Sequence, residues 1–204
     1  MSLDVSVMAF KHEHHLQHLH DTLGMFGYRE VGERAKVCGD NELSEQMRTW
    51  DLGNKRVLKA IAPCPGWTVV YDPEKTMVYD SKSCQEFSRK HSSGVVGMIC
   101  EGPSQTYGFA VYENGEKIRE FLSVGGAVKT NFGKELSPEI GLNLSDKTMI
   151  DDEIFDIFLG VTGVDLYTLL ENGEFSIKEL EKTGGVAKSS NSILEKRSPL
   201  KLWE

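Results

Sequence analysis

The chain has 204 residues, a mass of 22.8 kDa, a formal net charge of -8 and an isoelectric point near 5.3. With 39% hydrophobic residues and 20 glycines it has the composition of an ordinary globular protein, and a chain of this size buries about 70% of its unfolded surface without a metal or disulfide staple. No run approaches the roughly 18 apolar residues that a membrane-spanning helix needs, and the acidic balance excludes a generic duplex-DNA binder, whose affinity comes largely from Lys and Arg. Neither nucleic acid nor membrane is therefore expected as a partner, and the sequence sets no oligomeric state.

Residues 4–10 read as a short strand. From His14 to Phe26 the period changes: Leu16, Leu19, Leu23 and Phe26 form the apolar stripe of an amphipathic helix, with Gly27 just beyond it. Residues 28–55 are polar and show no clear period. Val57, Leu58, Ala60 and Ile61 lead into the turn Pro63-Cys64-Pro65-Gly66, and Trp67–Tyr71 return as a second strand, a hairpin with a four-residue loop. Asp72-Pro73-Glu74-Lys75 is a further turn, with Thr76–Tyr79 a candidate short strand.

Ser83-Cys84-Gln85-Glu86 has a capping-box pattern and predicts a helix with Cys84, Phe87, Ser88 and His91 facing inward. His91 then reads as a partly buried core histidine. Residues 94–101 are a near-continuous apolar run, expected as a central strand covered on both faces. Tyr107, Phe109 and Val111 alternate up to Asn114-Gly115, the preferred pair for a type I′ hairpin turn, and Ile118, Leu122 and Val124 continue on the return. Residues 125–148, rich in Gly, Asn, Ser and Pro, read as an excursion. A helix follows from Asp151 or Asp152, burying Ile154, Phe155 and Phe158. A second runs over residues 164–171, and Phe175–Leu180 form a last strand. These elements predict an α+β fold, mainly an antiparallel β-sheet of about five to seven strands with helices packed on one face. Residues 1–182 would form one domain, within which 1–55 is a candidate semi-independent β-α segment, and 183–204 a flexible C-terminal tail.

No GxGxxG, GxxxxGK or GxSxG motif occurs, so no catalytic residues and no cofactor are expected. The four cysteines, at 38, 64, 84 and 100, show no CxxC pair. Cys84 and Cys100 read as core and Cys64 as a loop residue, a pattern of reduced thiols that, with the absence of a secretory signature at Met1–Phe10, points to the cytoplasm.

Charge distribution is the most informative functional signal. Residues 151–181 carry nine carboxylates against Lys178 alone, a net of -8, whereas residues 1–150 carry 17 basic and 20 acidic side chains and residues 182–204 five basic and two acidic. Helix-dipole compensation accounts for acids in the first turn and not for those from Asp156 onward. The expected function is therefore a non-enzymatic interaction protein that presents Asp151, Asp152, Glu153 and Asp156 to a basic protein partner, the logic of a small acidic inhibitor or immunity protein.

Two alternatives come from other classes. Five of the six histidines lie between residues 12 and 20. His14 and His18, one helical turn apart with Asp21 near the same line, could share a divalent metal in a metal-binding protein or metal-dependent enzyme. In the Asn114-Gly115 hairpin, a two-residue turn pairs Val111 with Ile118, Phe109 with Glu120 and Tyr107 with Leu122. Glu120 then falls on an apolar sheet face, where with Trp67 and Tyr107 it could bind a small ligand.

Overall fold

The computed structural model describes residues 4–11, 19–47, 55–142, 144 and 150–183. Nine strands form one antiparallel sheet: β1 (Asp4–Lys11), β2 (Tyr28–Cys38), β3 (Arg56–Cys64), β4 (Trp67–Tyr71), β5 (Gly94–Glu101), β6 (Thr106–Glu113), β7 (Glu116–Val124), β8 (Ala127–Gly133) and β9 (Glu174–Lys182). Five helices accompany it: α1 (Leu19–Met25), α2 (Gly39–Met47), α3 (Ser81–His91), α4 (Asp151–Thr162) and α5 (Leu166–Asn172). The spatial order is β2-β9-β3-β4-β1-β5-β6-β7-β8. The fold is thus α+β with a large antiparallel sheet, of nine strands rather than five to seven.

The helices cover both faces of the sheet, not one. Alternate residues of the central strands are buried in opposite directions. Val5, Val7 and Ala9 of β1 join Ile154, Phe155 and Phe158 of α4 and Leu43 of α2 in one apolar cluster. Met8 and Phe10 join Leu19 and Leu23 of α1 and Phe87 of α3 in the other. Such strands cannot show a polar alternation, because both of their faces are dry. In β5 every residue from Gly94 to Cys100 is buried, as the apolar run predicts. Each fully buried aromatic or aliphatic side chain contributes about 1.5–3 kcal/mol.

Local chemistry explains most element boundaries. α3 begins at the N-cap Asp80, whose carboxylate accepts from the Ser83 amide at 3.1 Å, so the cap lies earlier in the chain than the Ser83 capping pattern suggests. Its inward face is the expected one, with Cys84, Phe87 and Ser88 buried and the His91 ring 4.5 Å from that of Phe87. The Asn114-Gly115 turn has φ values of 51° and 86°, the two positive angles of a type I′ turn. Strand β3 continues through Cys64, which pairs with Trp67, so the hairpin loop is two residues, with Gly66 at φ 75°. Cys64 is consequently buried, whereas Cys38 is the exposed cysteine. Thr76–Tyr79 form turns and no strand.

Three differences from the sequence reading share one cause, irregular or edge strands. β2 lies at the sheet edge and pairs with β9 through two bulges, between Glu30 and Gly32 and between Glu33 and Ala35, which scramble the period of two over residues 28–38. β8 occupies the other edge and fills the first part of the 125–148 excursion. It follows a second tight turn, Gly125-Gly126, with φ 59° and 77°. In β7 a bulge at Ile118 shifts the register, so that Val111 faces Arg119, Ala110 faces Glu120 and Phe109 faces Phe121. The hairpin therefore pairs Glu120 with Ala110 rather than Phe109, and Arg119 turns inward.

Candidate functional site

The 151–181 region forms α4, α5 and β9, and the structure divides its acids into two groups. On β9, Glu179 pairs with Arg56 at 2.5 Å and Glu181 with Arg29. These carboxylates are neutralised by neighbouring strands. On α4 and α5 no Lys or Arg occurs in the sequence between Lys147 and Lys178.

Within α4, the four expected partner-binding acids have separate roles. Asp151 is half-buried and accepts from the Cys100 thiol at 3.5 Å. Burial, reinforced by the Asp151 charge, pushes the Cys100 thiol up to about 12. Burial and a hydrogen bond to Asp151 likewise raise the Tyr107 phenol. Glu153 folds back to accept from its own Ile150 amide at 3.2 Å, closing the helix start. Asp152 and Asp156 remain exposed on one stripe with Leu159, at i, i+4 and i+7. Asp152 also accepts from the Tyr167 hydroxyl at 2.5 Å, tying α4 to α5, and the Tyr167 ring rests 4.5 Å from Phe155. Burial and the Asp152 hydrogen bond hold the Tyr167 phenol above its ordinary range.

Apolar side chains break this acidic surface. Ile150 is 56% exposed, Leu159 40% and Tyr167 44%, with Ile140 75% exposed next to the 3₁₀ turn at Ser137–Glu139 that packs Pro138 onto Gly160 of α4. Of the seven large hydrophobic side chains exposed among the described residues, these four cluster between residues 140 and 167. Leu159 shares the exposed stripe of α4 with Asp152 and Asp156, and Ile150 directly precedes the helix.

The three weak ligand residues do not converge. Trp67 and Tyr107 are buried in the cluster beneath α4, whereas Glu120 lies on the opposite sheet face beside Ala110, with Lys117 at 3.0 Å. Of the metal candidates, His14 and His18 lie outside the described residues, and Asp21 is exposed on α1. Among the described residues no group of three His, Cys, Asp or Glu has the geometry of a metal site.

Two charged clusters escaped sequence reasoning. Arg119 and Glu139, both buried, form a bidentate pair: Nε lies 2.9 Å from each carboxylate oxygen and Nη2 2.5 Å from Oε2. Nη1 donates to Asn131 Oδ1 and to the Phe132 and Glu120 carbonyls. The signal for it is the bulge, which the alternation of β7 conceals. Lys59, fully buried on β3, donates to Asp72 and Glu74. Asp72 also accepts from the Met77 amide at 2.7 Å and the Val78 amide at 3.2 Å. Although burial alone would lower it, the Lys59 ammonium is held above its ordinary range by the two carboxylates. Both clusters fasten loops to the sheet, and in the second Glu74 Oε1 is buried without a hydrogen-bond partner.

Comparison with protein-family models, with curated proteins and with solved structures finds no match for this chain. No helix among the described residues is long and apolar enough to cross a membrane.

Proposed function

We propose that the protein is a non-enzymatic, cytoplasmic interaction module whose α4–α5 face binds a basic protein. The observation that supports this most directly is the coexistence of exposed Leu159, Ile150 and Tyr167 with exposed Asp152 and Asp156 on a surface without a compensating Lys or Arg in its own segment. The acids would steer a basic partner and accelerate encounter, and the exposed apolar side chains would slow its release. Asp152 and Asp156 are the contact acids in this reading, and Asp151 and Glu153 act locally on Cys100 and the helix start. Three buried thiols with no disulfide among the four cysteines accord with a reducing compartment.

The test is affinity capture from native extract with the wild type, with Asp152→Asn/Asp156→Asn and with Leu159→Ser, read by mass spectrometry and repeated with the purified captured protein. A basic protein should be retained by the wild type. The paired Asn variant should reduce its association rate by about tenfold at low salt and leave dissociation nearly unchanged. Leu159→Ser should raise dissociation instead. Retention insensitive to all three changes and to ionic strength refutes the proposal.

A further inference from the structure

A cavity of about 610 Å³ opens on the opposite face of the sheet, over β3, β9 and β2, with Leu19 and His20 of α1 as one wall. Its size falls within the range of roughly 300–1,000 Å³ typical of small-molecule sites. The strand register fixes its floor: Ile61 of β3, Ser176 of β9 and Lys36 of β2 lie in one transverse row, and Lys178 and Glu33 in the next.

Charge in this cavity is organised. Lys178 Nζ lies 2.9 Å from Glu30 and 3.0 Å from Glu33, and Glu33 also accepts from the Ser176 hydroxyl at 2.7 Å. The Lys178 charge is thus met by two carboxylates. Lys36 is the other lysine of the lining, and its charge acts on Glu33, which these contacts hold below the usual carboxylate range. At the far end, Glu174 pairs in register with Cys38, and Glu42 accepts from the Cys38 amide at 2.9 Å. Both residues line the cavity, and among the described residues no ion pair joins either carboxylate to a Lys or Arg. With four carboxylates and two lysines the lining is formally -2. Apolar surface comes from Leu19, Ile61 and Pro63.

We propose that this cavity is a binding site for an organic amine, with the ammonium between Glu42 and Glu174 and an alkyl or aryl body against Leu19, Ile61 and Pro63. A concave, partly apolar site of net negative charge concentrates cations, and the apolar floor favours an organic cation over a hydrated metal ion. Ile61 and Leu19 lie on the face opposite α4, and the interaction reading above uses none of the cavity's residues.

The experiment is titration calorimetry of the full chain with 2-phenylethylamine and hexylamine, and with 3-phenylpropionate as an anion of matched shape. The amines should bind saturably and the carboxylate should not. Glu42→Gln/Glu174→Gln, at exposed positions, should weaken amine binding about tenfold or more. Ser176→Phe, which fills the floor, should abolish it with the far-UV circular dichroism unchanged; Asp152→Asn/Asp156→Asn should leave it unaltered. Absence of saturable amine binding, equal binding of the carboxylate, or amine binding indifferent to the Gln pair overturns the proposal. Should Ser176→Phe fail to fold, the Gln pair and the probe comparison decide alone.

Discussion

Replacing Arg119 with Met should be among the most destabilising single changes in the chain. The substitution retains an unbranched apolar stem that can still pack against Phe109, whose ring centre lies 5.7 Å from the guanidinium carbon. It removes every guanidinium donor to Glu139, whose side chain is fully buried. The carboxylate keeps only the Leu136 amide, at 2.8 Å. Removing one partner of a buried ion pair costs about 3–5 kcal/mol because the other charge is stranded. The Asn131 and Phe132 acceptors add little, since both residues are exposed and water can replace the lost donor. At about 2–4 °C per kcal/mol for a chain of this size, Tm should fall by roughly 6–20 °C. The assay is a double-mutant cycle by urea unfolding with Arg119→Met, Glu139→Leu and the pair. The double variant should recover most of the loss, because two apolar side chains leave no buried charge. A loss below about 1 kcal/mol for Arg119→Met, or a double variant as unstable as the sum of the singles, refutes the assignment of this pair as a buried, mutually dependent unit.

Other consequences can be measured on the same protein. Arg29→Ala, which removes an exposed partner of Glu181, should change stability by no more than about 1 kcal/mol in the same urea assay. Gly115→Ala should cost about 1–2 kcal/mol, since φ is 86° and the added methyl would meet Arg89 at 2.8 Å; thermal unfolding reads it directly. Iodoacetamide should label Cys38 alone in the native protein at neutral pH, with Cys64, Cys84 and Cys100 labelled only on unfolding, as counted by mass spectrometry. The Cys100 thiol titrates near 9.0 when unfolded and at about 12 in the fold. Its contribution to stability is therefore complete below pH 9 and lost as pH rises from 9 to 12. The urea midpoint should decline across that window, and less steeply in Cys100→Ala.

What the sequence made legible was regular, and what it hid was irregular. The apolar run of β5, the Asn114-Gly115 turn, the inward face of α3 and the start of α4 at Asp151 all follow from patterns of two to five neighbouring residues, and the structure reproduces them. The bulge at Ile118 leaves no local mark, because Ile118 fits either register and the choice is made by burial of Arg119 against Glu139, twenty residues away. Edge strand β2 is similar: Glu30, Glu33 and Lys36 belong to a polar stretch without a clear period until β9 supplies Lys178 and Ser176 across the ladder. The Gly125-Gly126 pair tolerates positive φ, but it opens the stretch read as an excursion, and the exposed pattern of β8 offers no apolar face to mark a strand. At the candidate site, composition located the acidic segment, whereas only side-chain contacts separate Asp152 and Asp156 from Asp151 and Glu153.

The position of β9 bears on how the chain is made. This strand, residues 174–182, sits between β2 and β3, which precede it by more than a hundred residues. A ribosome adding about 5–20 residues per second needs on the order of 6–24 s to pass from β3 to β9. Throughout that interval β3 lacks its outer neighbour and β2 has no sheet to join, so two strand edges stay open to other chains. The bulges and alternating charges of β2, which obscure it in the sequence, are the features that protect such an edge from aggregation while it waits.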